Sequence, residues 1–90
     1  MNEAKLILQK IQLYLRDRDA NEDELSRWLE FYICENYYLI EEYNQRLAMF
    51  LNNDVVDICE QTEPGLEGTG FRQDISVAYD KINSMVYPNI

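Results

Sequence analysis

Apolar residues recur along this chain three or four positions apart, so that successive runs collect on one arc of a helical wheel turning ~100° per residue. The first run covers Asn2–Arg16. Ala4, Ile7, Leu8, Ile11, Tyr14 and Leu15 share one arc, while Leu6 and Leu13 form a second, narrower line. This predicts an amphipathic helix whose second line touches another neighbour helix or, alternatively, a dimer partner. The charged turn RDRDAN follows. Asn21 with Glu24 three residues on makes a variant of the capping box, and Glu22, Asp23 and Glu24 suit the positive end of a helix dipole. A second helix is expected over 22–36, with Leu25, Trp28, Leu29, Phe31, Tyr32 and Ile33 on a broad face and most of its aromatics in the core.

Tyr37 and Tyr38 fall at a predicted bend or helix junction. Leu39, Ile40, Tyr43, Leu47, Phe50 and Leu51 then return to one arc, with Glu41, Glu42 and Gln45 on the other side. Glu42 and Arg46 are expected to pair at i,i+4. This third helix is expected to end near Asn52 and Asn53, because Asn tolerates the left-handed backbone of a helix end. Asp54 is expected to cap a short fourth helix reaching residue 61. On its wheel Val55, Ile58 and Cys59 oppose Asp54, Asp57 and Glu60, with Val56 at the border. The stretch TEPGLEGTG, with Pro64 and three glycines, cannot continue a helix. A last helix begins at Thr69 or Gly70 and ends before Pro88. Phe71, Ile75, Ala78, Tyr79, Ile82, Met85 and Val86 fill its inner arc, and Arg72, Gln73, Ser76, Asp80 and Asn83 face away.

No segment reads as a strand. The expected fold is all-α: a single domain spanning 1–90, built as a compact antiparallel bundle of four to five helices with short loops. Ninety residues suffice for one small core, and an apolar content of 47% can fill it. No run approaches the ~18 apolar residues that a membrane span needs. The N-terminal MNEAKLILQK does not read as a signal peptide, so a soluble cytoplasmic protein with reduced thiols is expected.

Charge narrows the class of partner. The net charge is −9, and it is unevenly spread. Residues 21–45 carry seven acids against Arg27 alone, and residues 54–67 carry five acids and no base. The remaining segments are neutral or slightly positive. Such a surface repels nucleic acid and anionic membranes and suits a basic protein. Asp54, Asp57 and Glu60 form an oblique ridge at spacing three, extended by Glu63 and Glu67 in the loop. They are the first candidate contact residues. Glu41, Glu42, Tyr37 and Tyr38 are the second set, since tyrosine buries area while its hydroxyl stays wet.

Candidate chemistry is sparse. Histidine is absent, which removes Ser-His-Asp, Cys-His and His-metal templates. Cys34 and Cys59 are too few for an all-cysteine zinc site and do not form a CxxC pair; each is expected to be buried as a small apolar residue. The acidic GLEGTG is unsuited to phosphate, and DxxDxxE lacks the spacing of a calcium loop. No enzyme, cofactor or metal site is expected.

The pattern resembles the small acidic helical immunity proteins of nuclease bacteriocins and polymorphic toxins, especially the colicin D immunity type. The resemblance covers most of the chain. It rests on the leading helix KLILQKIQLYL, the helix opening NEDELSRWLE, the stretch LNNDVVDICEQTEPG and the final FRQDISVAYDKI. It implies a cognate toxin, often an RNase acting on tRNA, whose basic cleft would be met by carboxylates in place of phosphates. Two other readings remain open at this point. One is a phage or mobile-element inhibitor that mimics nucleic acid; the other is a helical adaptor dimerising through Leu6 and Leu13. A monomer or weak dimer is expected under the immunity reading.

Overall fold

In the computed structural model residues 2–60 and 69–87 are described. Five α-helices and one π-turn account for nearly all of them: α1 (Asn2–Arg16), α2 (Glu22–Tyr43), α3 (Gln45–Phe50), a π-turn (Leu51–Val55), α4 (Val56–Glu60) and α5 (Thr69–Val86). There is no strand among the described residues. The fold is the expected all-α bundle.

Helix α1 has the expected limits. Ala4, Ile7, Leu8, Ile11 and Tyr14 are buried and Leu15 packs against them. The second line is not a packing surface as a whole, because Leu6 is half-buried while Leu13 is 55% exposed. The turn to α2 is fixed locally: the Asp19 amide donates to Asp17 Oδ1 at 3.0 Å, and Asn21 Oδ1 accepts from the Asp23 and Glu24 amides at 2.9 and 3.3 Å. Asn21 is therefore the N-cap that the sequence predicted.

Helix α2 runs seven residues past the expected limit. No bend occurs at Tyr37 and Tyr38. Ile33 and Ile40, seven apart, are both buried, so the same face stays against the core through the tyrosine pair. Asn36 does not stop the helix; its Nδ2 donates back to the Tyr32 carbonyl at 2.9 Å. The break falls at Asn44, whose backbone is extended (φ −158°, ψ 104°). Its amide closes α2 by donating to the Ile40 carbonyl at 2.8 Å, and its side chain opens α3 by accepting from the Leu47 amide at 3.1 Å. This break lies between Glu42 and Arg46, so the i,i+4 geometry expected for that pair does not exist. The ion pair among the described residues is Arg27 with Asp23, at 3.1 Å on the exposed side of α2.

The helical path does not stop at Asn52 and Asn53 either; it passes through them in the π-turn and on into α4. Leu47, Leu51, Val55 and Cys59 are all buried, a repeat of four residues. In an α-helix a row spaced by four rotates about 40° at each step. The wider π-turn takes up that drift and keeps the row on the core. Asp54 consequently sits inside a continuous helical path and caps nothing.

Helix α5 closes the bundle with Phe71, Ile75, Ala78, Ile82 and Val86 buried and Tyr79 and Met85 partly so. Its N-terminal end meets the C-terminal end of α1, where the Tyr14 and Phe71 rings pack edge-to-face at 5.6 Å, so the two helices run antiparallel. Arg72, expected to face away, instead reaches across. Its Nη atoms donate to the Leu15 and Asp17 carbonyls at 3.0 and 2.9 Å, and its guanidinium lies 4.5 Å from the centre of the Tyr14 ring.

Candidate functional site

The first candidate set is carried by the π-turn and α4. Asp54, Asp57 and Glu60 are all exposed, while Val55 and Cys59 on the opposite side are buried. The geometry follows from the four-residue apolar row: fixing positions 51, 55 and 59 inward turns 54, 57 and 60 outward. Burying these side chains contributes roughly 1.5–3 kcal/mol for each large aliphatic one, which holds the backbone of the acidic segment against the bundle. No cation lies within ion-pair distance of the three carboxylates among the described residues. Glu63 and Glu67, the expected extension of this ridge, lie outside the described residues.

The second set lies on the C-terminal half of α2. Glu42 is exposed and Glu41 half-buried. Tyr37 is half-buried against the core and Tyr38 is 80% exposed, with the two rings tilted against one another at 5.8 Å. The adjacent tyrosines thus divide their roles, one packing and one projecting. Phe31, expected in the core, is 65% exposed. The inner face explains it: with Leu25, Leu29 and Ile33 buried at spacing four, position 31 points away from the bundle. Phe31 belongs with Tyr38 as a surface aromatic, and the inner row Leu25, Leu29 and Ile33, which lies opposite it on the wheel, is the signal that reveals it.

The cysteines also divide. Both are free; Cys34 is exposed, contrary to expectation, on the outer side of α2, and Cys59 is buried. Burial pushes the Cys59 thiol up to about 12, with a nearby Glu30 carboxylate raising it further and a hydrogen bond with Ser26 pulling it down. Ser26 is the buried polar residue of α2, and this contact gives it a role in the interior. Cys59 is thus an unreactive packing element behind the acidic ridge.

An open cleft of about 550 Å³ lies between the C-terminal half of α1 and the N-terminal half of α2, bordered by Lys10, Leu13, Tyr14, Asp17, Glu24 and Trp28. Trp28 stacks on Tyr32 with ring centres 4.6 Å apart, and Lys10 Nζ lies 5.4 Å from the centre of the indole. Burial raises the pKa of Tyr14 above its ordinary value, which Arg72 opposes and Glu22 reinforces.

Among the described residues no group of three or more Cys, Asp or Glu side chains is arranged to hold a metal ion, and no helix is long and apolar enough to cross a membrane. Compared with protein-family models, curated proteins and solved structures, the chain matches none.

Proposed function

We propose that this chain is an immunity protein, an inhibitor that occupies the basic active site of a cognate nuclease toxin, an RNase, and keeps RNA out of it. The observation that supports this reading is the segment Asp54–Asp57–Glu60: three exposed carboxylates with no cation among the described residues paired to them, on backbone anchored by buried Leu51, Val55 and Cys59. A nuclease cleft is lined by Lys and Arg to hold phosphates. Fixed carboxylates present the same sign of charge to that lining and, unlike substrate, offer no bond to cleave. Charge of opposite sign on the two surfaces also raises the rate of encounter, toward ~10⁸–10⁹ M⁻¹s⁻¹ at low salt. The protein acts by binding and needs no catalytic group of its own.

The test is protection. A nuclease toxin domain encoded beside the gene for this chain is expressed in a sensitive host, alone and with this chain. The expected result is growth restored by the wild type and lost with the double reversal Asp57→Lys/Glu60→Lys. In binding measurements with the purified toxin domain, the reversal is expected to weaken affinity strongly, and more at low salt than at high salt, because screening shortens the reach of surface charge. Protection and salt dependence unchanged by the double reversal would refute the proposed contact, and a neighbouring toxin domain that is not basic would refute the class.

A further inference from the structure

Exposed apolar residues are not scattered evenly over this molecule. Eight large ones are exposed among the described residues, and four of them, Phe31, Tyr38, Leu39 and Tyr43, lie between residues 31 and 43 of α2. Phe31 and Tyr38 are seven residues apart, two helical turns, and so stand one above the other on the same face. That face is opposite the inner row of Leu29, Ile33 and Ile40. Exposed Cys34 and Glu35 lie between Phe31 and Tyr38 and exposed Glu42 one turn beyond Tyr38, while Leu39 and Tyr43 lie on another side of the helix. Isolated surface apolar residues are ordinary; two exposed aromatic rings aligned on one helix face point to an interaction surface.

We infer that the outer face of α2 is the anchoring surface for the basic protein partner, with Phe31 and Tyr38 inserted into it and Glu35 and Glu42 paired to its Lys or Arg side chains. The inference rests on the partner class proposed above and adds a second surface to it. Charge selects the occupant. The only base on this face, Arg27, is at its N-terminal end and is engaged by Asp23 at 3.1 Å, so the aromatic row is bordered by unopposed carboxylates. A second copy would bring Glu35 and Glu42 against their own kind. An apolar-and-basic surface satisfies both the rings and the acids. Tyr38 is also partly preorganised, because its ring leans on half-buried Tyr37 at 5.8 Å and has less freedom to lose on binding. Aromatic anchors of this type govern dissociation, whereas the charges govern encounter.

The probe is a synthetic amphipathic helical peptide with leucines along one face and lysines bordering that same face, titrated into the isotopically labelled full-length chain and followed by NMR and calorimetry. Amide perturbations are expected to centre on residues 31–42. Phe31→Ala/Tyr38→Ala is expected to weaken binding at least tenfold with its salt dependence retained, and Glu35→Gln/Glu42→Gln to reduce the salt dependence. All four side chains are exposed, so the variants are expected to fold, and circular dichroism checks that they do. Perturbations confined to residues 54–60, or an affinity unchanged by loss of both rings, would overturn the inference. So would a concentration-dependent dimer of the chain alone that Phe31→Ala/Tyr38→Ala abolishes, since the occupant would then be a second copy. The peptide experiment needs no toxin, so this surface and the immunity reading fail separately.

Discussion

Arg72 carries the sharpest structural prediction, because its wheel position points to solvent while its side chain ties two helices together. The guanidinium donates to the Leu15 carbonyl at 3.0 Å, in the partly buried last turn of α1, and to the more exposed Asp17 carbonyl at 2.9 Å. It also lies over the Tyr14 ring at 4.5 Å. A hydrogen bond from a charged group contributes roughly 1.5–3 kcal/mol, less where water competes, and an exposed cation–π contact roughly 0.5–1 kcal/mol. Counting the partly buried bond at its low end and the exposed one at a fraction, Arg72→Ala is expected to cost about 2–3 kcal/mol. For a domain of this size each kcal/mol moves Tm by about 4–8 °C, so the expected loss is about 8–24 °C. Arg72→Lys keeps a cation near the negative end of α1, but one ammonium group cannot reproduce the fork to two carbonyls, so about half the loss is expected. Urea unfolding followed by circular dichroism and Trp28 fluorescence measures both variants. If each lies within about 0.5 kcal/mol of wild type, the ordinary range for surface substitutions, the bridge contributes nothing and the reasoning is wrong.

Two further predictions concern the interior and the helix junction. The Cys59 thiol is held at about 12 in the folded chain against an ordinary value of 9.0, so below pH 9 it is protonated in both states and contributes no pH dependence. Above pH 9 only the unfolded chain releases this proton, and stability is expected to fall as pH rises toward 12, by at most about 1.4 kcal/mol per pH unit from this group. Unfolding measured between pH 8 and 11 checks it: Cys59→Ala is expected to flatten the slope even though it lowers stability throughout, and an unchanged slope would contradict the assignment. At the junction, Asn44→Ala removes the bond to the Leu47 amide and is expected to cost about 1 kcal/mol, while Asn44→Asp, which retains an acceptor, recovers most of it. Equal stability of the two variants in urea would show that the side chain does not hold the junction.

Periodicity and capping chemistry alone determined the all-α class, the limits of α1, the start of α2 at its Asn21 cap and the inner face of α5. These depend on local rules: a 3.6-residue repeat, side-chain acceptors for free amides, and apolar residues that must leave water. The exposure of Asp54, Asp57 and Glu60 was legible for the same reason. Tertiary structure decided the rest. Whether α2 bends at Tyr37 or continues depends on what Ile40 finds to pack against, and the core beneath it carries the helix on to Asn44. The break at Asn44 then separates Glu42 from Arg46. The four-residue row from Leu47 to Cys59 is ambiguous in isolation; only the shared core makes a π-turn the path that buries all of it. Arg72 is polar on any wheel, and only the antiparallel meeting of α5 with the end of α1 brings the Leu15 and Asp17 carbonyls within its reach. A local pattern fixes which side of a helix is apolar, but the neighbour's position fixes how far that helix runs and which outward side chains find a partner.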